Sequence, residues 1–350
     1  MKNKIKILFF GHDYIGGQFL QEIMEKHSDK FEVVGLATNL NAPKLSFNKK
    51  LKKVKILFRK KFFFRELREK ILMEGIINRK ALKNSPPFYP DIKAKAVAEQ
   101  YKIPVFDSSE VYAGNVSKIE GFGADYIIVA SFGRIPQEIY SNKPSSVINF
   151  HSSFLPQLRG SCPVYTALMK KMPQTGFSFH LLSRKFDAGP LLYQEQIPIN
   201  EDITCRELDI EIARAGANKL YHLLMLMKNN IVTPIDVTNK KVTHCFRSYE
   251  INALLNPSTT TTVELMHQIR ACSSWTIGSA YLRVGFRHFY IVEAKAVVFD
   301  SSLLKFNIDY FHGYGLLMKT SDGIVMINKV YYKRRYYSDD ELLRLKGLLF

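Results

Sequence analysis

Apolar positions divide the chain into two regimes. In the first, an apolar run over 5–10 closes on Gly11, positions 19–24 are apolar at helical spacing, and a strand-like run follows over 31–37. Strand-like runs alternating with helical stretches predict βαβ units around a parallel sheet, buried on both faces. The pattern further predicts a helix over 91–101 with Asp91 as N-cap, and strands over 104–106, 126–130 and 147–150. A helix over 164–171, strands over 175–182 and 191–199 and an amphipathic helix over 204–228 complete this half. Ile210, Ala213, Ala217 and Leu220 share one side of the last helix.

The second regime begins near Asn229. Asn229-Asn230, Thr233-Pro234 and Asn239-Lys240-Lys241 read as a polar link. Four threonines at 259–262 precede a helical pattern ending at Ile269. Short strands are predicted over 281–284, 289–299, 316–320 and 324–332, with Gly313 and Asp322-Gly323 as turns. The expected organisation is an α/β catalytic domain over 1–228 with an insert over 41–90, a linker over 229–262, and a small all-β open barrel over 263–350.

A length of 350 residues, 46% of them hydrophobic and 23% charged, supports two domains and excludes a disordered or fibrous chain. No stretch approaches the roughly 18 apolar residues of a membrane helix, so no membrane span is expected. Cys162, Cys205, Cys245 and Cys272 are widely spaced, which argues against a disulfide scaffold or a zinc site. His12, His27, His180, His222, His244, His267, His288 and His312 show no metal-binding spacing and are read as structural or surface groups, so no metal is expected. The chain passes from Met1-Lys2-Asn3-Lys4 straight into the first apolar run, so no presequence is visible: either none exists, or it is removed or missing from this sequence.

Charge changes the picture. The formal net charge is +18, and the stretch from Lys44 to Lys83 holds fifteen cations against Glu66, Glu69 and Glu74. That local excess of +12 is two thirds of the total, which points to a polyanionic partner. Phe47, Phe58, Phe62, Phe63 and Phe64 are interleaved, a mixture suited to phosphate contact with base stacking. Lys49, Lys50, Lys52, Lys53, Arg59, Lys60 and Lys61 are the candidate nucleic-acid contacts; the bland alternative is a solvated helix whose Phe residues pack inward. The basic and aromatic stretch Tyr331 to Tyr337 admits the same two readings.

Three stretches bear on chemistry. Gly11-His12-Asp13-Tyr14-Ile15-Gly16-Gly17 has the wrong spacing for a dinucleotide fingerprint, and no acidic residue closes the second strand. A tight strand-to-helix turn is the better reading, and NAD is not expected. Asn149 and His151 lie two apart at a strand's end, so an amide and an imidazole share one face where open parallel sheets bind ligands. Asp187, in Phe186-Asp187-Ala188-Gly189-Pro190, is by itself a turn residue. Brought to His151 it would complete a set suited to acyl transfer to an amine.

These residues resemble a known signature. Asn149-x-His151, Ser153-Phe154-Leu155-Pro156, Arg159-Gly160 and Asp187-x-Gly189 resemble the 10-formyltetrahydrofolate-dependent formyltransferases. Residues 7–11 and 129–134 look like that family's first strand and folate-side loop. Residues 185–195 and 214–218 are similar to the mitochondrial type of methionyl-tRNA formyltransferase. Gln157-Leu158 and Cys162 depart from the pattern.

The resemblance implies a Rossmann-like domain followed by an OB-like barrel. Asn149 would hold the formyl oxygen, His151 would stabilise the oxyanion, and Asp187 would hold His151 and help deprotonate the amine. Ser153, Phe154, Leu155 and Pro156 would line the site of 10-formyltetrahydrofolate. The partner would be initiator methionyl-tRNA, held by the basic insert, and the enzyme a mitochondrial monomer, or otherwise cytoplasmic. Two rivals remain at this point. A small-molecule formyltransferase for an amino sugar nucleotide or glycinamide ribonucleotide would need neither the basic insert nor the β module. A non-enzymatic RNA-binding protein is opposed by the intact Asn149, His151 and Asp187 set.

Overall fold

The computed structural model describes residues 4–40, 93–141, 146–246, 251–273, 279–285, 287–333, 335–345 and 348. The basic insert, including Lys49, Lys50, Lys52, Lys53, Arg59, Lys60 and Lys61, lies outside them, as does Asp91.

Seven strands form the first sheet: β1 (Ile5–Gly11), β2 (Phe31–Thr38), β3 (Val105–Asp107), β4 (Tyr126–Ala130), β5 (Val147–His151), β6 (Gln174–Leu181) and β7 (Leu191–Pro198). Their order is β3-β2-β1-β4-β5-β6-β7. The pairs from β3 to β5 are parallel, as the βαβ pattern predicts, whereas β5–β6 and β6–β7 are antiparallel. The sheet is thus the parallel-dominated, Rossmann-like one expected, with two antiparallel pairs added at one edge because strand direction leaves no mark on an apolar run.

Eight described helices are α1 (Asp13–Lys26), α2 (Ala94–Gln100), α3 (Ser109–Tyr112), α4 (Val116–Glu120), α5 (Gln137–Ser141), α6 (Pro163–Met169), α7 (Cys205–Lys228) and α8 (Thr262–Cys272). Lys93 takes the N-cap position of α2. The sheet is buried on both faces. Ile5, Ile7 and Phe9 join the core beneath α1, α2 and α7, while Leu8 and Phe10 pack on the opposite side with Phe106, Val111 and Val129. Thr204 and Glu207 close a capping box that starts α7. Gly216 of α7 lets the helix seat on the Phe150 ring: a Cβ there would meet Phe150 Cε2 at 2.2 Å.

The second sheet is antiparallel throughout: β8 (Tyr281–Val284), β9 (Arg287–Val297), β10 (Ile308–Phe311), β11 (Gly315–Lys319), β12 (Ile324–Tyr332) and β13 (Arg335–Ser338). Its order is β10-β11-β12-β9-β8, with β13 also on β12. Register shifts between Ile327 and Val330 mark a bulge, the device that lets a strand bend. The result is a half-barrel consistent with the OB-like module expected. Helix α8 packs against both α6 and β9, joining the two sheets through one continuous core.

The stretch read as a polar link runs back over the first domain. Ile235 bridges to Leu191 and His244 to Arg159. Among the described residues, no helix is long and apolar enough to cross a membrane.

Candidate active site

Strand order sets the place. Strand β1 is flanked by β2 and β4, so connections leave it in opposite directions and a crevice opens at the carboxyl ends. His12, just after β1, donates its backbone N–H to Ser131 O, just after β4, at 3.0 Å. The His12 and Phe132 rings stack there, centroids 4.3 Å apart. Beyond them lies a cavity of about 580 Å³ whose lining includes His12, Phe132, Arg134, Asn149, His151 and Asp187.

Alternation along β5 puts Asn149 and His151 on the face opposite Ile148 and Phe150, which belong to the core under α7. Register then brings a third residue. Asn149 pairs with His180 on β6, and Asn149 Nδ2 lies 3.0 Å from His180 Nε2. Asp187 comes from the loop between β6 and β7. It has φ +50°, and its Oδ2 accepts the Gly160 N–H at 2.8 Å. The other oxygen, Oδ1, sits between two imidazoles, 3.7 Å from His151 Nδ1 and 3.6 Å from His180 Nε2. Gly189 is required for this loop, since a Cβ there would fall 1.8 Å from Leu181 O.

The electrostatics assign the charges. Burial alone would raise the Asp187 carboxyl, but the facing imidazoles of His151 and His180 and the Gly160 N–H outweigh it and hold the group at about 2. Asp187 is therefore ionised at neutral pH. Burial pushes the His151 imidazole below its ordinary value, against the opposing pull of Asp187 and Leu158 O, so it rests neutral. His151 Nε2 is 2.9 Å from Leu158 O, which accepts its proton. The Nδ1 lone pair then faces Asp187, where a newly bound proton would complete an ion pair.

The loop after β5 is held from behind. Leu158 has φ +56° and receives Cys245 Sγ–H at 3.0 Å on its carbonyl, while its N–H donates to Thr243 Oγ1 at 2.9 Å. Burial pushes the Cys245 thiol up to about 12, so it stays a donor. Ser178 Oγ donates to Ser153 O at 2.7 Å and accepts from the Leu155 N–H at 3.0 Å.

The structure thus brings Asn149, His151 and Asp187 together. Ser153, Phe154, Leu155 and Pro156 are not in the cavity lining: Ser153, Leu155 and Pro156 are buried behind His151, and the lining is supplied instead by 131–135 and 182–187. His180 is a further correction. Read from sequence as structural or surface, it stands inside the site at 2% exposure. A polar residue interrupting the apolar run of β6 was the available signal. Cys162, Cys205, Cys245 and Cys272 are free and buried, and no metal-binding group of three was found among the described residues.

Residues 74–224 match the family model described as formyl transferase. The matched residues carry a formyl transferase domain, which makes the chain an enzyme, and over them the chain is similar to the formyltransferase superfamily. Among its relatives is the methionyl-tRNA formyltransferase of Fusobacterium nucleatum, 28% identical over 245 residues, covering 69% of this chain and 77% of that protein. The Bacillus cytotoxicus protein of that name is 30% identical over 52% of this chain and 59% of its own length. HypX from Aquifex aeolicus, solved with tetrahydrofolic acid, shares the fold with a TM-score of 0.61 at 14% identity, covering 99% of this chain and 48% of its own. An N-formyltransferase from Helicobacter canadensis superposes with a TM-score of 0.55 at 18% identity, covering 93% of this chain and 100% of its own.

Proposed function

We propose that the chain transfers the formyl group of 10-formyltetrahydrofolate to the α-amine of initiator methionyl-tRNA, giving N-formylmethionyl-tRNA and tetrahydrofolate. The observation that carries the reaction is the Asp187 carboxylate, held between two imidazoles beside the Asn149 amide on one side of a large cavity. The cavity suits a donor with a flat ring system and an acidic tail. Phe132 and Ile135 offer apolar contact, while Arg134, Arg184 and Lys185 place cations in the lining.

The residues divide the chemistry among themselves. The amine attacks the formyl carbon as the free base, and negative charge grows on the formyl oxygen. Asn149 donates an N–H to that oxygen, the kind of aimed donor worth roughly 10²–10³ in rate. His151 accepts the amine proton at its free Nδ1. The imidazolium so formed is stabilised by Asp187 and lies beside the oxyanion it helps to hold. Collapse expels the folate N10, which regains the proton, so protons and charge balance.

Methionyl-tRNA as acceptor is supported by the relatives of that name and by the +12 charge between Lys44 and Lys83, which a small amine does not require. The setting is bacterial-type translation initiation, in a mitochondrion or a cytoplasm that uses it, with the enzyme acting as a monomer. Incubation with the folate donor and charged initiator tRNA should yield N-formylmethionine on the tRNA. Formylation of an amino sugar nucleotide or glycinamide ribonucleotide in its place would reassign the acceptor.

A further inference from the structure

We infer that His180 is a positioning residue that keeps the Asn149 amide turned so that its N–H can serve the reacting oxygen; this rests on the formyl-transfer reading. His180 Nδ1 lies 2.8 Å from Leu181 O. A carbonyl only accepts, so Nδ1 carries the proton of the neutral ring and Nε2 is left with a lone pair. Asn149 sits 3.0 Å from that Nε2 and must present its NH₂ group there, not its oxygen. One N–H is spent on His180, and the second remains on a side chain that lines the cavity.

Protonation reverses this. A proton on Nε2 would find Asp187 Oδ1 at 3.6 Å and repel the Asn149 N–H, so the amide would turn its oxygen to His180 and lose its donor. The titratable groups facing His180 are Asp187, from the loop after β6, and His151, from β5. Each imidazole then controls one requirement: His151 must be unprotonated to accept a proton, and His180 must be unprotonated to orient the donor.

The test compares the wild type with His180→Gln and His180→Leu, each first checked for a native thermal transition. Gln offers an acceptor near the place of Nε2 but does not titrate; Leu offers none. His180→Leu should lose on the order of 10-fold more kcat than His180→Gln, with KM for the folate donor unchanged, as for one lost orienting hydrogen bond. In ¹⁵N-histidine spectra at neutral pH, the signal absent from His180→Gln should carry its proton on Nδ1. Equal kcat in His180→Gln and His180→Leu, or a proton on Nε2, would overturn the inference. A wild type with no formyl transfer would instead overturn the reaction reading, and the spectra alone would then decide how His180 holds Asn149.

Discussion

Replacing Asp187 by Asn removes a charge and keeps a shape, and the structure sizes both consequences. The Gly160 N–H can still be accepted by the amide oxygen, so the loop should fold. What disappears is an anion between two imidazoles. The carboxyl is held at about 2 against an ordinary 3.8, which at roughly 1.36 kcal/mol per pKa unit corresponds to about 2 kcal/mol of folding stability. Because the folded value is depressed, this contribution is fully present above the unfolded pKa and is lost as pH falls through the folded one. Denaturant unfolding should therefore show the variant about 2 kcal/mol less stable at pH 7, with the gap unchanged down to about pH 5 and closing below about pH 4. The rate consequence is larger. His151 would have no anion to stabilise its protonated form, and transfer should fall on the order of 10²-fold or more, the scale of lost general acid–base function. Single-turnover formyl transfer by the folded variant measures it. A near-normal rate would remove Asp187 from the mechanism, and a stability gap that is the same at pH 3 as at pH 7 would refute the charge argument.

Two further outcomes follow from the same physics. Reversing the charge of Lys49, Lys50, Lys52 and Lys53 should weaken tRNA binding and flatten its salt dependence, by about 0.7–0.9 in log–log slope for each phosphate no longer neutralised; an unchanged slope in a filter-binding titration would show that the segment does not bind tRNA. Gly216→Ala drives a methyl into the Phe150 ring, on the strand between Asn149 and His151, and should cost about 1–3 kcal/mol as core overpacking does, read as a lowered Tm; a Tm equal to the wild type would show that α7 yields there.

Much of the first domain was legible because its strands are apolar runs bounded by glycine and proline. The strands at 126–130 and 324–332 appear with the predicted bounds. Short polar strands were not legible: β10 and β13 are four residues each, and β13 is half exposed. The pairing of Asn149 and His151 on one face followed from alternation alone. His180 did not, because it reaches the site through cross-strand register, 31 residues from Asn149, and nothing local announces that partner. Thr243 and Cys245 were missed for a related reason. They lie in a stretch whose composition reads as solvated, yet its hydrogen bonds fix Leu158 and, through it, His151.

The central claim is that Asn149, His151 and Asp187 move a formyl group onto methionyl-tRNA. Its most direct test assays the wild type and His151→Ala side by side with 10-formyltetrahydrofolate, offering charged initiator methionyl-tRNA, free methionine, an amino sugar nucleotide and glycinamide ribonucleotide. Transfer to the charged tRNA alone, lost in His151→Ala, is the predicted result. Transfer that survives in His151→Ala, or that prefers a small amine, would contradict it.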